Sequence, residues 1–141
     1  MQDLIEFTQQ NVLLVGAFLG LLTVLIVSEL KRMTRNYQEV STSDAVRLMN
    51  DEDALVLDVR ESKDIKAGVL SGAKNIPLKD LAKRITELTK YKDQQVLVYC
   101  DIGMKSGQAC QQLNKSGFAN VQMLRGGASA WVSDNLPLEK S

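Results

Sequence analysis

The chain has 141 residues, with 17 basic and 17 acidic side chains and no histidine. A net charge of zero gives no sign of nucleic-acid binding. The lack of imidazole excludes Ser-His-Asp and Cys-His catalytic pairs and any metal site that uses histidine. Two cysteines, Cys100 and Cys110, are too few for a four-thiolate metal centre. We therefore expect no metal, no cofactor and no nucleic-acid partner.

The N-terminal segment is an uninterrupted apolar run. Residues 12–27 carry no charged side chain, and a helix that extends to residue 30 is about 28 Å long, close to the ~30 Å hydrocarbon core of a bilayer. Residues 1–30 have a net charge of −3, whereas the rest of the chain has +3. Such an asymmetry is typical of a membrane segment or tail beside a soluble domain. We predict an extracytoplasmic tail over 1–11, a transmembrane helix over 12–30 and a juxtamembrane linker over 31–39.

The charges that flank this helix orient it. Lys31, Arg32 and Arg35 follow the apolar run and no basic residue precedes it, so the positive-inside rule places the soluble part in the cytoplasm. A cleaved signal peptide is one alternative, but such peptides begin with basic residues and end in small ones, unlike this run. A buried core helix is another, but a continuous apolar run has no polar face for water. We predict a single-pass protein of the cell inner membrane, with its N-terminus outside.

Helices and strands alternate in the soluble part. Ser43 and Asp44 are predicted to cap a short helix that ends at Met49. The apolar run over 54–59 is typical of a buried parallel strand. The other predicted elements are a helix over 78–88, a strand over 95–99, a helix over 105–114 and a strand over 121–124. This alternation predicts an α/β domain over residues 40–138, built on an open parallel sheet flanked by helices.

One loop carries the features expected of a nucleophilic site. Cys100 directly follows a predicted strand, and binding sites in parallel sheets lie at the carboxyl ends of strands. Gly103 allows a tight turn, and the N–H groups of the loop and the next helix bind anions. Lys105 supplies a cation that favours the thiolate, and Ser106 is predicted to cap the helix. Alternatively, Cys100 is simply a small apolar residue at the end of a strand. Cys110 is expected to pack in the core.

Four segments in order resemble the motifs of single-domain rhodaneses, a family of sulfurtransferases. The matching segments are Asp58-Val-Arg60, the stretch Gly68 to Pro77 with its Asn-Ile-Pro end, the loop Cys100 to Ser106 with Gly103 and Lys105, and Leu124 to Trp131 with its Gly-Gly pair. The resemblance covers nearly all of residues 38–138. Each motif alone is weak, but four in the correct order are specific.

The resemblance implies a rhodanese-like fold and a double-displacement transfer of sulfane sulfur. The partners would be a small sulfur donor, thiosulfate or a persulfide, and a thiol acceptor, with the membrane bound through the N-terminal helix and no protein partner identified. Cys100 would be the catalytic residue. The substrate-binding active loop and its neighbour would be Asp101, Ile102, Gly103, Met104, Lys105, Ser106 and Arg60. Related phosphatases use a longer loop, so this one suits sulfur and is cramped for phosphate or arsenate.

The sequence departs from the family pattern at three positions. Val69 replaces a structural histidine. Lys105 replaces arginine and so loses the planar fork that grips an oxyanion. Asp101 places a carboxylate beside the nucleophile, where it repels an anionic donor. The alternative function is therefore a catalytically weak or inactive rhodanese-like binding module tethered to the membrane, although inactive copies usually lack the cysteine that this chain keeps at position 100.

Overall fold

The computed structural model describes residues 1–140, which divide into two compact units, one ending at Arg35 and the other beginning at Asn36. The first unit contains helix α1, Gln2–Gln10, and helix α2, Val12–Met33. Helix α2 has 22 residues, is apolar, and has no buried residue. At 1.5 Å per residue it is about 33 Å long. It is therefore long and apolar enough to cross a bilayer, and it continues three residues beyond the predicted span.

Five strands form one sheet in the second unit. They are β1 Gln38–Val40, β2 Leu55–Asp58, β3 Lys74–Asn75, β4 Gln95–Tyr99 and β5 Asn120–Leu124. All neighbours pair in parallel, in the order β1-β5-β4-β2-β3. The predicted open parallel sheet is confirmed. The strands predicted from apolar runs, β2, β4 and β5, are its three central strands, as expected for strands covered on both faces.

Helices cover both faces of this sheet. They are α3 Thr42–Met49, α4 Leu78–Arg84, α5 Met104–Lys115 and α6 Gly127–Ser133, together with 3-10 turns over Asp64–Ala67 and Ile85–Tyr91. Alternate residues of β4 point to opposite faces: Val96 and Val98 pack with α4 and α5, whereas Leu97 and Tyr99 pack with α3 and α6. The sheet therefore separates two apolar cores.

The structure differs from the sequence predictions at the ends of several elements. Ser41, not Ser43, caps α3, because its Oγ accepts the N–H of Asp44 at 3.2 Å. The helix predicted over 78–88 is α-helical only to Arg84 and then tightens into 3-10 turns, in a stretch whose β-branched residues have low helix propensity. Strand β1 begins inside the segment predicted as a linker.

The sheet order brings two chain segments together at one edge. Asp58 in β2 lies opposite Tyr99 in β4, and the N–H of Val59 donates to the carbonyl of Tyr99 at 3.1 Å. The residues that follow, Arg60 and Cys100, therefore leave the sheet side by side at its carboxyl edge.

Candidate active site

The loop after β4 is a tight turn that ends in a helix. Cys100 is the first residue beyond the strand, Gly103 has a φ of 106°, and α5 starts at Met104. A φ in this range is disfavoured for residues with a Cβ. Glycine at position 103 therefore lets the chain reverse within three residues of the cysteine, as the sequence predicted.

The sulfur of Cys100 lies inside the turn. Its Sγ accepts a hydrogen bond from the N–H of Gly103 at 3.0 Å, and the Oγ of Ser106 lies 3.5 Å away. Ser106 is fully buried, and its hydroxyl donates to the carbonyl of Gly103 at 3.0 Å. The sequence predicted that Ser106 caps α5, and this prediction is wrong because Gly103 occupies the N-cap position. The oxygen of Ser106 lies beside the sulfur instead.

The carbonyl groups of the loop are held by the start of α6. The N–H of Ala128 donates to the carbonyl of Cys100 at 2.8 Å, and that of Ser129 donates to the carbonyl of Asp101 at 3.0 Å. Gly127 has a φ of 59°, and a Cβ there would overlap the carbonyl oxygen of Cys100. The Gly-Gly pair thus allows α6 to approach the loop closely. The sequence showed this pair as a motif but not what it contacts.

Arg60 belongs to a buried polar cluster beside the loop. Its Nε lies 3.0 Å from both carboxylate oxygens of Asp58, and its Nη2 donates to Asp58 at 2.7 Å and to the carbonyl of Gly68 at 2.9 Å. The hydroxyl of Tyr99 donates to Asp58 at 2.9 Å and accepts the N–H of Leu70 at 3.1 Å. The cluster joins β2, β4 and the stretch after β2.

The pKa values in this cluster follow from burial and from the charge of Asp58. Burial disfavours the charge of Arg60, but the hydrogen bond and the charge of Asp58 outweigh burial and raise the pKa of the guanidinium. Burial, followed by the charge of Asp58, raises the pKa of the Tyr99 hydroxyl. Arg60 therefore stays cationic and Tyr99 protonated, so the cluster is a fixed support for the loop.

One nitrogen of this guanidinium reaches the active loop. The Nη1 of Arg60 lies 3.6 Å from Oδ1 of Asp101, whose side chain is 54% exposed. Since Arg60 is buried, a molecule that approaches the loop meets the Asp101 carboxylate before the guanidinium. Lys105, the cation predicted for the loop, has an exposed side chain.

The two cysteines have different surroundings. Cys100 is 2% exposed at the carboxyl edge of the sheet, whereas Cys110 lies in α5 and is fully buried in the core with Leu113. Burial, with a smaller contribution from Cys100, raises the pKa of the Cys110 thiol. Among residues 1–140, no group of Cys, Asp and Glu side chains is arranged to hold a metal ion.

Comparison with known proteins gives consistent matches. Residues 41–134 match the family model of the rhodanese-like domain. The protein YibN of Escherichia coli K12, named as uncharacterized, is 34% identical over 139 residues, which are 98% of this chain and 97% of the relative. A sulfurtransferase of Allochromatium vinosum is 37% identical over 98 residues, 70% of this chain and 90% of that protein. The crystal structure of a rhodanese-related protein from Thermoplasma volcanium has a TM-score of 0.66 at 26% identity, covering 72% of this chain and 97% of its own.

Proposed function

This chain belongs to the rhodanese-like family, and on that premise we propose that it transfers sulfane sulfur through a persulfide on Cys100. The observation that carries the proposal is the position of Sγ, 3.0 Å from the N–H of Gly103 and 3.5 Å from the Oγ of Ser106. The N–H of Gly103 stabilises an anionic sulfur at this position. The name of the Allochromatium vinosum relative gives independent support for sulfur transfer.

The first half of the reaction loads the enzyme. The Cys100 thiolate attacks the sulfane sulfur of the donor, a new S–S bond forms, and the donor's old bond to that sulfur breaks. With thiosulfate the leaving group is sulfite, which takes the bonding electron pair, and the product is an anionic persulfide. The N–H of Gly103 and the Oγ of Ser106 lie 3.0 and 3.5 Å from Sγ, which becomes the inner sulfur of this persulfide. No separate general base is needed, since the nucleophile reacts as the thiolate.

The second half of the reaction regenerates the enzyme. A thiophilic acceptor attacks the outer sulfur, the S–S bond to Cys100 breaks, and Sγ leaves as the thiolate. The N–H of Gly103 donates to Sγ and stabilises the thiolate that this step regenerates. The α6 contacts to the carbonyls of Cys100 and Asp101 hold the loop in one conformation throughout. Fixed donors do not have to reorganise as charge moves, which is the main advantage of a rigid loop.

The side chains of the loop favour a persulfide over thiosulfate as the donor. Thiosulfate is a dianion, and it would approach the exposed carboxylate of Asp101. Lys105 provides attraction, but an ammonium lacks the bidentate geometry of the arginine usual in the family. Arg60 contributes little attraction because Asp58 neutralises it. We therefore propose that thiosulfate turnover is slow and that a protein or low-molecular-weight persulfide is the better donor.

The test is direct detection of the persulfide in the full chain in detergent micelles. After incubation with thiosulfate or glutathione persulfide and alkylation, trypsin separates Cys100 in peptide 93–105 from Cys110 in peptide 106–115. We expect one added sulfur atom on the first peptide only, and none there in Cys100→Ser. If neither donor adds sulfur to peptide 93–105, the proposal fails in favour of the rhodanese-like binding module.

We further propose that α2 anchors the protein in the inner membrane. Support comes from its length, its apolar composition and the basic residues Lys31 and Arg32 in its last turn. By the positive-inside rule this end faces the cytoplasm, which keeps Cys100 in a reducing compartment. The proposed organisation is an outer tail over 1–11, a span over 12–30 and a catalytic domain over 40–138.

Fractionation and proteolysis test the anchor and its orientation separately. The protein should sediment with membranes and require detergent for release, and protease added to intact spheroplasts should leave the catalytic domain undigested. A full-length protein in the soluble fraction would contradict the anchor. A domain that is digested without lysis would contradict the orientation, and an N-terminus that begins after α2 would identify this helix as a cleaved signal peptide.

A further inference from the structure

Exposed large apolar side chains in the second unit are concentrated at the active loop. Over residues 36–140, only Ile102, Met104 and Val132 have such side chains, at 63%, 76% and 54% exposure. Two of the three lie within four positions of Cys100. Other large apolar side chains in this range are buried or half-buried. Scattered apolar side chains on a surface need no explanation, but a group beside a reactive atom indicates an interaction site.

These two side chains do not pack into the apolar cores that residues 1–140 form. Ile102 and Met104 belong to neither buried apolar cluster. The backbone of Gly103, which lies between them, makes the hydrogen bond to Sγ. Other side chains at positions 102 and 104 would leave that backbone contact in place. Their exposed apolar surface therefore contributes favourable free energy only when a bound molecule removes it from water.

The position and charge of the loop indicate which kind of molecule covers Ile102 and Met104. The sulfur is buried, so an acceptor has to bring its thiol to the loop. The acceptor residues around that thiol then contact residues 102 and 104. Asp101 places an exposed carboxylate beside the same pair, which favours a positive group on the acceptor. A lipid surface is disfavoured, because insertion would bury that carboxylate or bring it against anionic headgroups.

We propose that Ile102 and Met104, here called the apolar rim, bind the sulfur acceptor, and that this acceptor is a protein cysteine flanked by apolar residues and a basic residue. The inference rests on the proposed function. In the transfer, the proton of the acceptor thiol moves to the outer sulfur of the anionic persulfide, and the acceptor thiolate attacks that sulfur. The S–S bond to Cys100 breaks, Sγ departs as the thiolate, and the proton stays with the transferred sulfur. No external oxidant or reductant takes part.

Two cysteine peptides serve as probes with the full chain in phosphatidylcholine nanodiscs. The first is the blocked pentapeptide Lys-Leu-Cys-Leu-Gly, and the second, Lys-Gly-Cys-Gly-Gly, has the same charge without the apolar flanks. Persulfide-loaded protein is mixed with each, and kcat/KM for sulfur transfer is measured. We expect the apolar peptide to react about tenfold faster, which corresponds to ~1.4 kcal/mol. Exchange of its Lys for Glu should lower its rate, and Asp101→Asn should reduce that charge effect.

Variants assign the preference to the apolar rim. In the double variant Ile102→Ser, Met104→Ser, the ratio of the two rates should fall to about one. Val132→Ser is the matched control, since it removes an exposed apolar side chain from the last turn of α6, and it should keep the tenfold preference. Persulfide loading is measured in every variant by the mass of peptide 93–105, so a defect in loading is separated from a loss of preference.

Each other outcome has a defined meaning. Equal rates with both peptides in the unsubstituted protein, a preference that survives the double variant, or an equal loss in Val132→Ser would overturn the apolar rim while leaving sulfur transfer intact. A preference that is present in detergent micelles and lost in nanodiscs would mean that the apolar rim contacts lipid. That result would also overturn the proposal. If no persulfide forms on Cys100, the proposed function and this inference fail together.

Discussion

The contact between Gly127 and the active loop can be tested by substitution with alanine. The new Cβ would overlap the carbonyl oxygen of Cys100 and lie 2.7 Å from that of Asp101. Gly72 is a matched control, because its φ of 71° resembles the 59° of Gly127 but a Cβ there meets nothing within 4 Å. Both substitutions place alanine in the left-handed region, at about 1–2 kcal/mol each. Only Gly127→Ala also forces α6 away from the loop.

The additional effect at position 127 follows from the contacts that would be lost. The N–H groups of Ala128 and Ser129 would separate from the carbonyls of Cys100 and Asp101, at about 1 kcal/mol for each hydrogen bond. Overpacking adds roughly 1–3 kcal/mol. Gly72→Ala should therefore lower the free energy of unfolding by about 1–2 kcal/mol, and Gly127→Ala by roughly 4–7 kcal/mol.

The loop displacement should also slow persulfide formation. A misplacement of about 1 Å in a reacting group reduces rates by about a hundredfold, so we expect a loss of that order in Gly127→Ala and little change in Gly72→Ala. Urea unfolding in micelles, followed by the fluorescence of Trp131, the single tryptophan, measures stability, and the rate of sulfur addition to peptide 93–105 measures function. Equal effects of the two substitutions on both quantities would refute the reasoning, since strain alone would then explain them.

Three further predictions concern single side chains. Asp101→Asn should lower the KM for thiosulfate and Lys105→Ala should raise it, because the first removes a repulsive charge and the second an attractive one. Steady-state kinetics that show no change in either KM would mean that these charges do not act on the donor. Arg60→Met should destabilise the protein by about 3–5 kcal/mol, because it leaves the buried Asp58 carboxylate without a cationic partner. Lys79→Met removes one partner of a surface pair with Glu61 and should change stability by less than about 1 kcal/mol. Similar urea midpoints for the two variants would contradict this. Cys110 should resist iodoacetamide at pH 8 and react once urea unfolds the domain, because burial raises the pKa of its thiol. Rapid alkylation of peptide 106–115 in the native protein would contradict this and show that α5 opens locally.

The sequence alone predicted those features that depend on neighbouring residues. The apolar runs of β2, β4 and β5 are buried on both faces, so composition predicts them directly. The apolar run predicts a helix over 12–30, which the structure extends to Met33, and the turn at Gly103 precedes α5. The cysteine loop was predicted as the site because a nucleophile after a strand, a glycine and a helix start all lie within seven residues.

Only the tertiary structure decided the features that depend on residues distant in the chain. Strands β1 and β3 have three and two residues and no apolar run, and they form because β5 and β2 offer them backbone partners. The same holds for the site. The family resemblance implied that Arg60 is a site residue, but not that Asp58 and Tyr99 hold its guanidinium or that its Nη1 lies near Asp101. Nor did it show that Gly127 has to be glycine so that α6 can reach the loop carbonyls. Local patterns determine which segments become strands and helices, whereas contacts between segments far apart depend on the order of the strands in the sheet, which no local pattern contains.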